Sequence, residues 1–284
     1  MAVAQHTEDE QTKLWNGPAG RAWVDQQALL DQMFKPFEDL LVEAVAAGPG
    51  GQVLDIGCGT GSTTLAVARL LGAKGRCIGI DISEPMIAAA RARAERDNTP
   101  ASFLRESAQL HAFEPASFDM LISRFGVMFF DDPVRAFTNL RRAARDGAAC
   151  RFIAWRSAAE NPFMTTAERA AAPLLPNLPA RRPDAPVGQF AFADRHRVAS
   201  LLEASGWAEI DIQPIDVACT LPESELVRYL TRLGPVGLIL QQADDRTRVQ
   251  VIETVRAAFE PYVHGADVRF SAACWTIGAR TPRP

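Results

Sequence analysis

The chain is poor in the residues that would mark it for several kinds of work. Lysine occurs only at positions 13, 35 and 74, and the formal net charge is -4, with acidic and basic residues interspersed. Phosphate recognition needs a concentrated basic surface, so no nucleic-acid partner is expected. The five cysteines stand apart at 58, 77, 150, 219 and 274, with no Cys-x-x-Cys pair and no histidine at ligand spacing, so no metal is expected. They read as free thiols in a reducing compartment, and Cys77, Cys150 and Cys274 fall in apolar runs where cysteine acts as a small hydrophobic residue. No run of about 18 apolar residues is present to span a bilayer. The opening MAVAQHTEDEQTK also lacks the basic start and apolar stretch of a signal peptide. A cytoplasmic location without a membrane partner follows as the expectation. Histidine is scarce as well: His6 and His264 fall in an expected tail and loop and His196 in the first turn of a helix, which leaves His111.

What is present is a 284-residue chain with 48% hydrophobic residues, enough to bury a sizeable core. Between residues 50 and 155, short β-branched runs alternate with helical patterns, the signature of a parallel sheet covered by helices. The expected strands are Gln52–Ile56, Arg76–Ile80, Ser102–Leu104, Phe118–Ser123 and Ala149–Trp155, followed by Glu209–Cys219 and Val268–Thr276. Gly72 stops a helix over Thr63–Leu71, Ser83 caps one opening at Pro85, and Pro133 opens another. Asp194 caps a further helix, and Glu223–Leu233 and Asp244–Phe259 show helical spacing. Residues 1–48 read as an N-terminal helical cap in which Leu30, Phe34, Phe37, Leu41 and Val45 share one helical face, preceded by Trp15 and Trp23. Residues 49–284 read as one α/β domain carrying lid segments near 157–193, which includes the proline-dense Pro173–Pro186, and near 221–262.

The most informative stretch is Val53-Leu54-Asp55-Ile56-Gly57-Cys58-Gly59-Thr60-Gly61, a buried strand running into a glycine-rich turn and then a helix. Glycine lets polar ligand atoms approach the main chain closely, and the following helix start offers unpaired N–H donors. A dinucleotide fingerprint would place its third glycine at position 62, which is Ser62. Asp55 would repel a pyrophosphate and welcome an ammonium group, which favours S-adenosylmethionine over NAD while leaving another nucleotide open.

The run VLDIGCGTG, followed by GIDIS and SFDMLISRFGVMFF, resembles the class I S-adenosylmethionine-dependent methyltransferases, most closely the branch of the ubiquinone and menaquinone biosynthesis enzymes and many natural-product methyltransferases. The resemblance is specific over about residues 50 to 155. It implies a Rossmann-like, seven-stranded, mostly parallel sheet with helices on both faces and an antiparallel last strand. It implies that S-adenosyl-L-methionine is bound, and S-adenosyl-L-homocysteine released, by Asp55, Gly57, Cys58, Gly59 and Gly61 in the glycine turn. Asp81 would hold the ribose hydroxyls, Ile82 and Met86 the adenine face, Ser107 and Ala108 the adenine edge, and Ser123 the end of the fourth strand. Ser107 departs from the family's usual aspartate, and Arg145-Asp146-Gly147-Ala148 from its usual Pro-Gly-Gly turn. Trp15, Trp23, Phe125, Met128 and Trp155 are candidate acceptor-lining residues, and Phe163 and Phe192 extend that set from the lid.

Methyl transfer is a displacement that alignment alone advances greatly, on the order of 7–11 kcal/mol, so no catalytic dyad is required. His111 and Arg124 are the candidate catalytic residues and no base is assigned. The Asn/Asp-Pro-Pro-aromatic and Pro-Cys motifs of the DNA-methylating classes do not occur. The expected partner is a small aromatic or apolar acceptor, O-, N- or C-methylated in quinone-like or secondary metabolism by a monomer or homodimer. A non-catalytic S-adenosylmethionine-binding partner protein and a nucleotide-dependent oxidoreductase are the alternatives.

Overall fold

The computed structural model describes residues 10–48, 50–182 and 185–282. His6 lies outside the described residues.

Among the described residues, eight strands form one sheet: β1 (Gln52–Ile56), β2 (Arg76–Asp81), β3 (Ala101–Arg105), β4 (Phe118–Arg124), β5 (Ala144–Trp155), β6 (Ala208–Pro222), β7 (Val263–His264) and β8 (Asp267–Arg280). The order across the sheet is β3-β2-β1-β4-β5-β8-β6, with β7 paired to β8 off this path. The first five strands are parallel, and β8 runs antiparallel to both β5 and β6. The antiparallel last strand is as the resemblance implied; the two-residue β7 is an addition, too short for any period to reveal. Strands β1 and β4 are buried along most of their length because helices cover both sides. Strand β6 alternates because it lies at the sheet edge.

The chain builds outward from β1 to β3 and then returns to β4, so the strand order reverses between β1 and β4. Loops leaving the carboxyl ends of those two strands diverge and open a crevice, the place where ligands of open α/β sheets sit. Between the strands lie α4 (Ser62–Leu71), α5 (Glu84–Arg96) and α6 (Pro133–Ala143). The Ser83 cap accepts from the Met86 N–H, Asp132 caps the helix opened by Pro133, and Gly72 ends α4.

Before the sheet come α1 (Pro18–Asp25), α2 (Gln27–Met33) and α3 (Lys35–Ala46). The single helical face expected from Leu30 to Val45 is divided at Phe34. Pro36 has no N–H and its ring collides with the carbonyl four residues back, so the chain must restart there. Phe37, Leu41 and Val45 still point inward and join the same core as Leu54, Leu121 and Phe152. Phe37 and Leu41 are fully buried, contributing roughly 1.5–3 kcal/mol each.

Later come α7 (Pro162–Ala171), α8 (Arg195–Ala204, capped by Asp194), α9 (Leu226–Arg232), α10 (Gly234–Leu240) and α11 (Asp245–Ala258, capped by Asp244). The helix expected over Glu223–Leu233 opens with a tight 3-10 turn at Glu223–Glu225. The Arg145–Ala148 loop expected before the fifth strand is instead an irregularity inside β5, where pairing jumps from Ala144 to Ala149 and Gly147 takes φ +74°. Strand β5 therefore starts five residues earlier than its apolar pattern does.

Candidate functional site

The glycine turn leaves β1 with Gly57, Gly59 and Gly61 all in the left-handed region, at φ +64°, +54° and +84°. The N–H groups of Gly57 and Cys58 both donate to the Ile80 carbonyl, at 2.8 and 3.2 Å, which pins the turn to the end of β2. On the other side it touches the exit of β4. A Cβ at Gly57 would stand 2.6 Å from the Gly126 Cα, and one at Gly126 would stand 2.4 Å from the Ile56 carbonyl oxygen. Ser123 locks this crossing: its hydroxyl donates to the Ile56 carbonyl at 2.7 Å and accepts from the Gly126 N–H at 3.1 Å. Ser123 is fully buried, so the structure gives it a framework position under the turn. Gly126 was not singled out from the sequence; a glycine two residues beyond a central strand was the available signal.

Asp81 ties two turns together. Its Oδ2 accepts from the Gly59 N–H and its Oδ1 from the Ser83 N–H, both at 2.9 Å. Burial pushes its carboxyl up and these backbone bonds pull it back. Ile82 is half-buried beside it, and Met86 places its sulfur 3.6 Å from where a Cβ on Gly59 would stand. Cys58 packs against Gly79, whose Cβ would lie 2.7 Å from the Cys58 sulfur, and burial pushes that thiol far up, so it serves as packing.

Asp55 sits beneath the turn at 1% exposure, with Oδ2 accepting from the Thr64 hydroxyl at 2.6 Å. Burial pushes its carboxyl up to about 7, opposed by Thr64 and Arg124 and reinforced by Asp81 and Glu38. Because the folded value lies above the ordinary one of 3.8, Asp55 favours the fold only while protonated. That contribution is complete below about pH 4 and is lost as the pH rises to 7, an excursion of roughly 4 kcal/mol. Asp55→Asn is therefore expected to gain stability relative to the parent, by about 2–3 kcal/mol more at pH 8 than at pH 5. Urea denaturation at the two pH values measures this, and a pH-independent difference would contradict it.

The N-terminal segment closes over both turns. Asn16 donates to the Ile82 carbonyl at 3.1 Å and accepts from the Glu84 N–H at 2.8 Å, while the Ser83 hydroxyl donates to the Trp15 carbonyl at 2.7 Å. The Trp15 ring lies edge-on to Trp23 and Phe129, with centroids 6.1 and 5.3 Å away. Trp15 thus meets the Asp81–Glu84 turn with its backbone carbonyl, while its ring packs against Phe129. Glu38 of α3 accepts from the Ser62 hydroxyl, and Arg93 bridges Asp31 at 2.7 Å to the Thr60 carbonyl at 2.8 Å. Asn16, Glu38 and Arg93 act across 24 to 68 residues of sequence, a separation no periodicity reports.

The third side of the crevice follows β4. Phe125 has φ +65°, an outlier for a bulky residue, held by its N–H donating to the Ile153 carbonyl at 2.9 Å. Its ring stacks on Trp155 with centroids 4.5 Å apart, and Phe34 and Phe37 press on the pair edge-on. The Trp155 N–H donates to the Met128 sulfur at 3.4 Å. Three of the expected acceptor-lining residues therefore form one apolar block, buried by the N-terminal helices. The loop carrying Ser107 and Ala108 is anchored by Asn139, which donates to the carbonyls of Ala108 and His111 at 3.0 and 2.9 Å. The His111 ring rests edge-on against Phe113 at 4.6 Å. Phe163 and Phe192 are core residues: Phe163 stacks on Phe270 at 3.8 Å, and Phe192 packs near Phe137. A cavity of about 420 Å³ lined by Arg91, Asn98, Pro100 and Phe103 reaches the start of β3, opposite the carboxyl-end crevice.

Residues 53–147 match the family described as a methyltransferase domain. An uncharacterized protein of Mycobacterium tuberculosis is 30% identical over 155 residues, which cover 55% of this chain and 56% of that protein. The match thus spans little more than half of such relatives. The aklanonic acid methyltransferase of a Streptomyces species is 32% identical over 187 residues, covering 63% of this chain and 84% of the relative. Among solved structures, that of a putative methyltransferase from Bacillus halodurans superposes with a TM-score of 0.55 at 14% identity, covering 86% of this chain and 98% of that one.

Proposed function

The chain belongs to the S-adenosylmethionine-dependent methyltransferases, and from that premise we propose that it methylates a small organic acceptor at the carboxyl ends of β1 and β4. One observation carries the reading. Asp81 draws the Gly59 and Ser83 N–H groups onto a single carboxylate, so the glycine turn and the turn opening α5 form one rigid cradle at the point where strand order reverses.

The residues present fit the cofactor. Gly57, Gly59 and Gly61 hold main chain in a conformation that side chains disfavour, so the turn can approach a nucleoside closely. Asp81 retains carboxylate lone pairs for a ribose diol, Ile82 and Met86 offer an apolar adenine face, and Ser107 and Ala108 lie on an anchored loop for the adenine edge. Asp55 and Cys58 stay below the turn, where Asp55 favours a cationic ligand once it is ionised, above about pH 7, and Ser123 holds the turn in place. When bound, the cofactor supplies an electrophilic methyl group on a sulfonium. The chain's part is to align an acceptor and keep water away, which the aromatic block of Phe125, Met128 and Trp155 serves.

The acceptor we assign to this site is an aromatic or apolar molecule of secondary or quinone-like metabolism, in keeping with a relative named for aklanonic acid. We read the described residues of 1–48 as its cap, with Trp15 and Trp23 in it, and the described residues of the segments near 157–193 and 221–262 as its lids. Among the described residues no helix is long and apolar enough to cross a membrane. We place the work in the cytoplasm, by a monomer or homodimer.

Calorimetry should find micromolar binding of S-adenosylmethionine, and a screen of candidate acceptors should find release of S-adenosylhomocysteine. Folded protein that takes up no cofactor would sink the proposal. A second reading, a partner protein that binds the cofactor without turnover, draws on the packing of Phe34 and Phe37 over Phe125 and Trp155. Tight cofactor binding with no product from any acceptor class favours it.

A further inference from the structure

Arg124 ends β4, the strand that flanks the reversal point. It is half-buried, yet its side chain has a single hydrogen bond among the described residues, a long 3.5 Å contact from Nη1 to the Phe34 carbonyl. No carboxylate of the described residues stands within ion-pair distance of it. A guanidinium offers five N–H donors in a planar fork suited to a carboxylate, and withdrawing it from water without an anionic partner is unfavourable. The nearest explanation would be a surface salt bridge, and none is formed.

The surroundings place the Arg124 backbone at the rim of the crevice. The backbone of Arg124 pairs with Ile153, and the residue after it is the strained Phe125, stacked on Trp155. The next residue again, Gly126, touches Gly57 of the glycine turn. Arg124 therefore stands between the methyl-donor cradle and the aromatic block, on a strand that cannot shift without opening the crossing. Asp55 feels its charge but is itself committed to Thr64 under the turn.

We propose that Arg124 is the carboxylate receptor of this site, a role that rests on the cofactor reading above. Two sources can supply the carboxylate: the amino-acid end of the cofactor, or an acidic acceptor in the crevice beside Arg124. In either case Arg124 orients its ligand by a two-pronged, charge-assisted contact whose loss costs about 10- to 100-fold in affinity.

Calorimetry on the full chain and on Arg124→Met tests this with four probes: S-adenosylhomocysteine, 5′-methylthioadenosine, which lacks the amino-acid end, 1-naphthoate and its neutral amide. The two naphthalene probes are titrated into the homocysteine complex. If the carboxylate is the cofactor's, Arg124→Met weakens S-adenosylhomocysteine 10- to 100-fold and leaves methylthioadenosine unchanged. If it is the acceptor's, both nucleosides bind as before, while naphthoate loses at least tenfold and the amide loses nothing. Arg124→Lys should recover part of either loss, and Arg124→Gln carries the same comparison if the methionine variant does not fold. Equal weakening of both nucleosides, or no change with any probe, overturns the proposal. Parent protein that binds neither nucleoside overturns the cofactor reading itself.

Discussion

Asp81→Asn is expected to weaken S-adenosylmethionine binding by about 100-fold or more while shifting stability by no more than about 1 kcal/mol. The carboxylate holds the N–H groups of Gly59 and Ser83 on separate oxygens. An amide replaces one of those acceptors with a donor, so one of the two turns must let go. Each charge-assisted bond is worth about 1.5–3 kcal/mol, and the ribose hydroxyls lose their acceptor in the same change. Stability is spared because burial already presses the Asp81 carboxyl toward its neutral form, so discarding the charge relieves what losing a bond costs. Calorimetry and urea denaturation separate the two effects. Affinity within threefold of the parent would mean that this carboxylate does not shape the cradle.

Gly126→Ala is expected to lose at least about 3 kcal/mol of stability and, in whatever fraction folds, most nucleoside binding. The added methyl would lie 2.4 Å from the Ile56 carbonyl oxygen and 2.8 Å from the Gly57 Cα, and backbone atoms cannot swing aside as a side-chain end does. Relief requires parting β1 from β4 at their carboxyl ends, which also breaks the Ser123 hydrogen bonds that lock the crossing. Gly265→Ala is the useful comparison: Gly265 is left-handed at φ +66° with nothing within 4 Å of its would-be Cβ, so strain alone should cost about 1–2 kcal/mol. Similar melting temperatures for the two variants would show that the crossing has slack.

Local signals were sufficient wherever the cause of a feature is local. The strand-glycine-helix run from Val53 to Thr64 declares itself because a buried strand needs adjacent apolar residues and left-handed turns need glycine. Ser83 and Asp194 announce their helices because a cap bonds two or three residues ahead. Periodicity was misleading at Phe34, where one apolar face continues across two helices that Pro36 keeps apart.

By itself, then, the sequence determined the strands and helices of the parallel α/β plan and the glycine turn, since each depends on residues within a few positions of one another. The tertiary structure alone decided that Ser123 braces the turn from below and that Phe163 is core. It also seated Asn16, Glu38 and Arg93 on the turns and left Arg124 without an anion beside it. Those outcomes depend on contacts between residues tens of positions apart, and such pairings follow from how the sheet and helices pack, which no local spacing encodes.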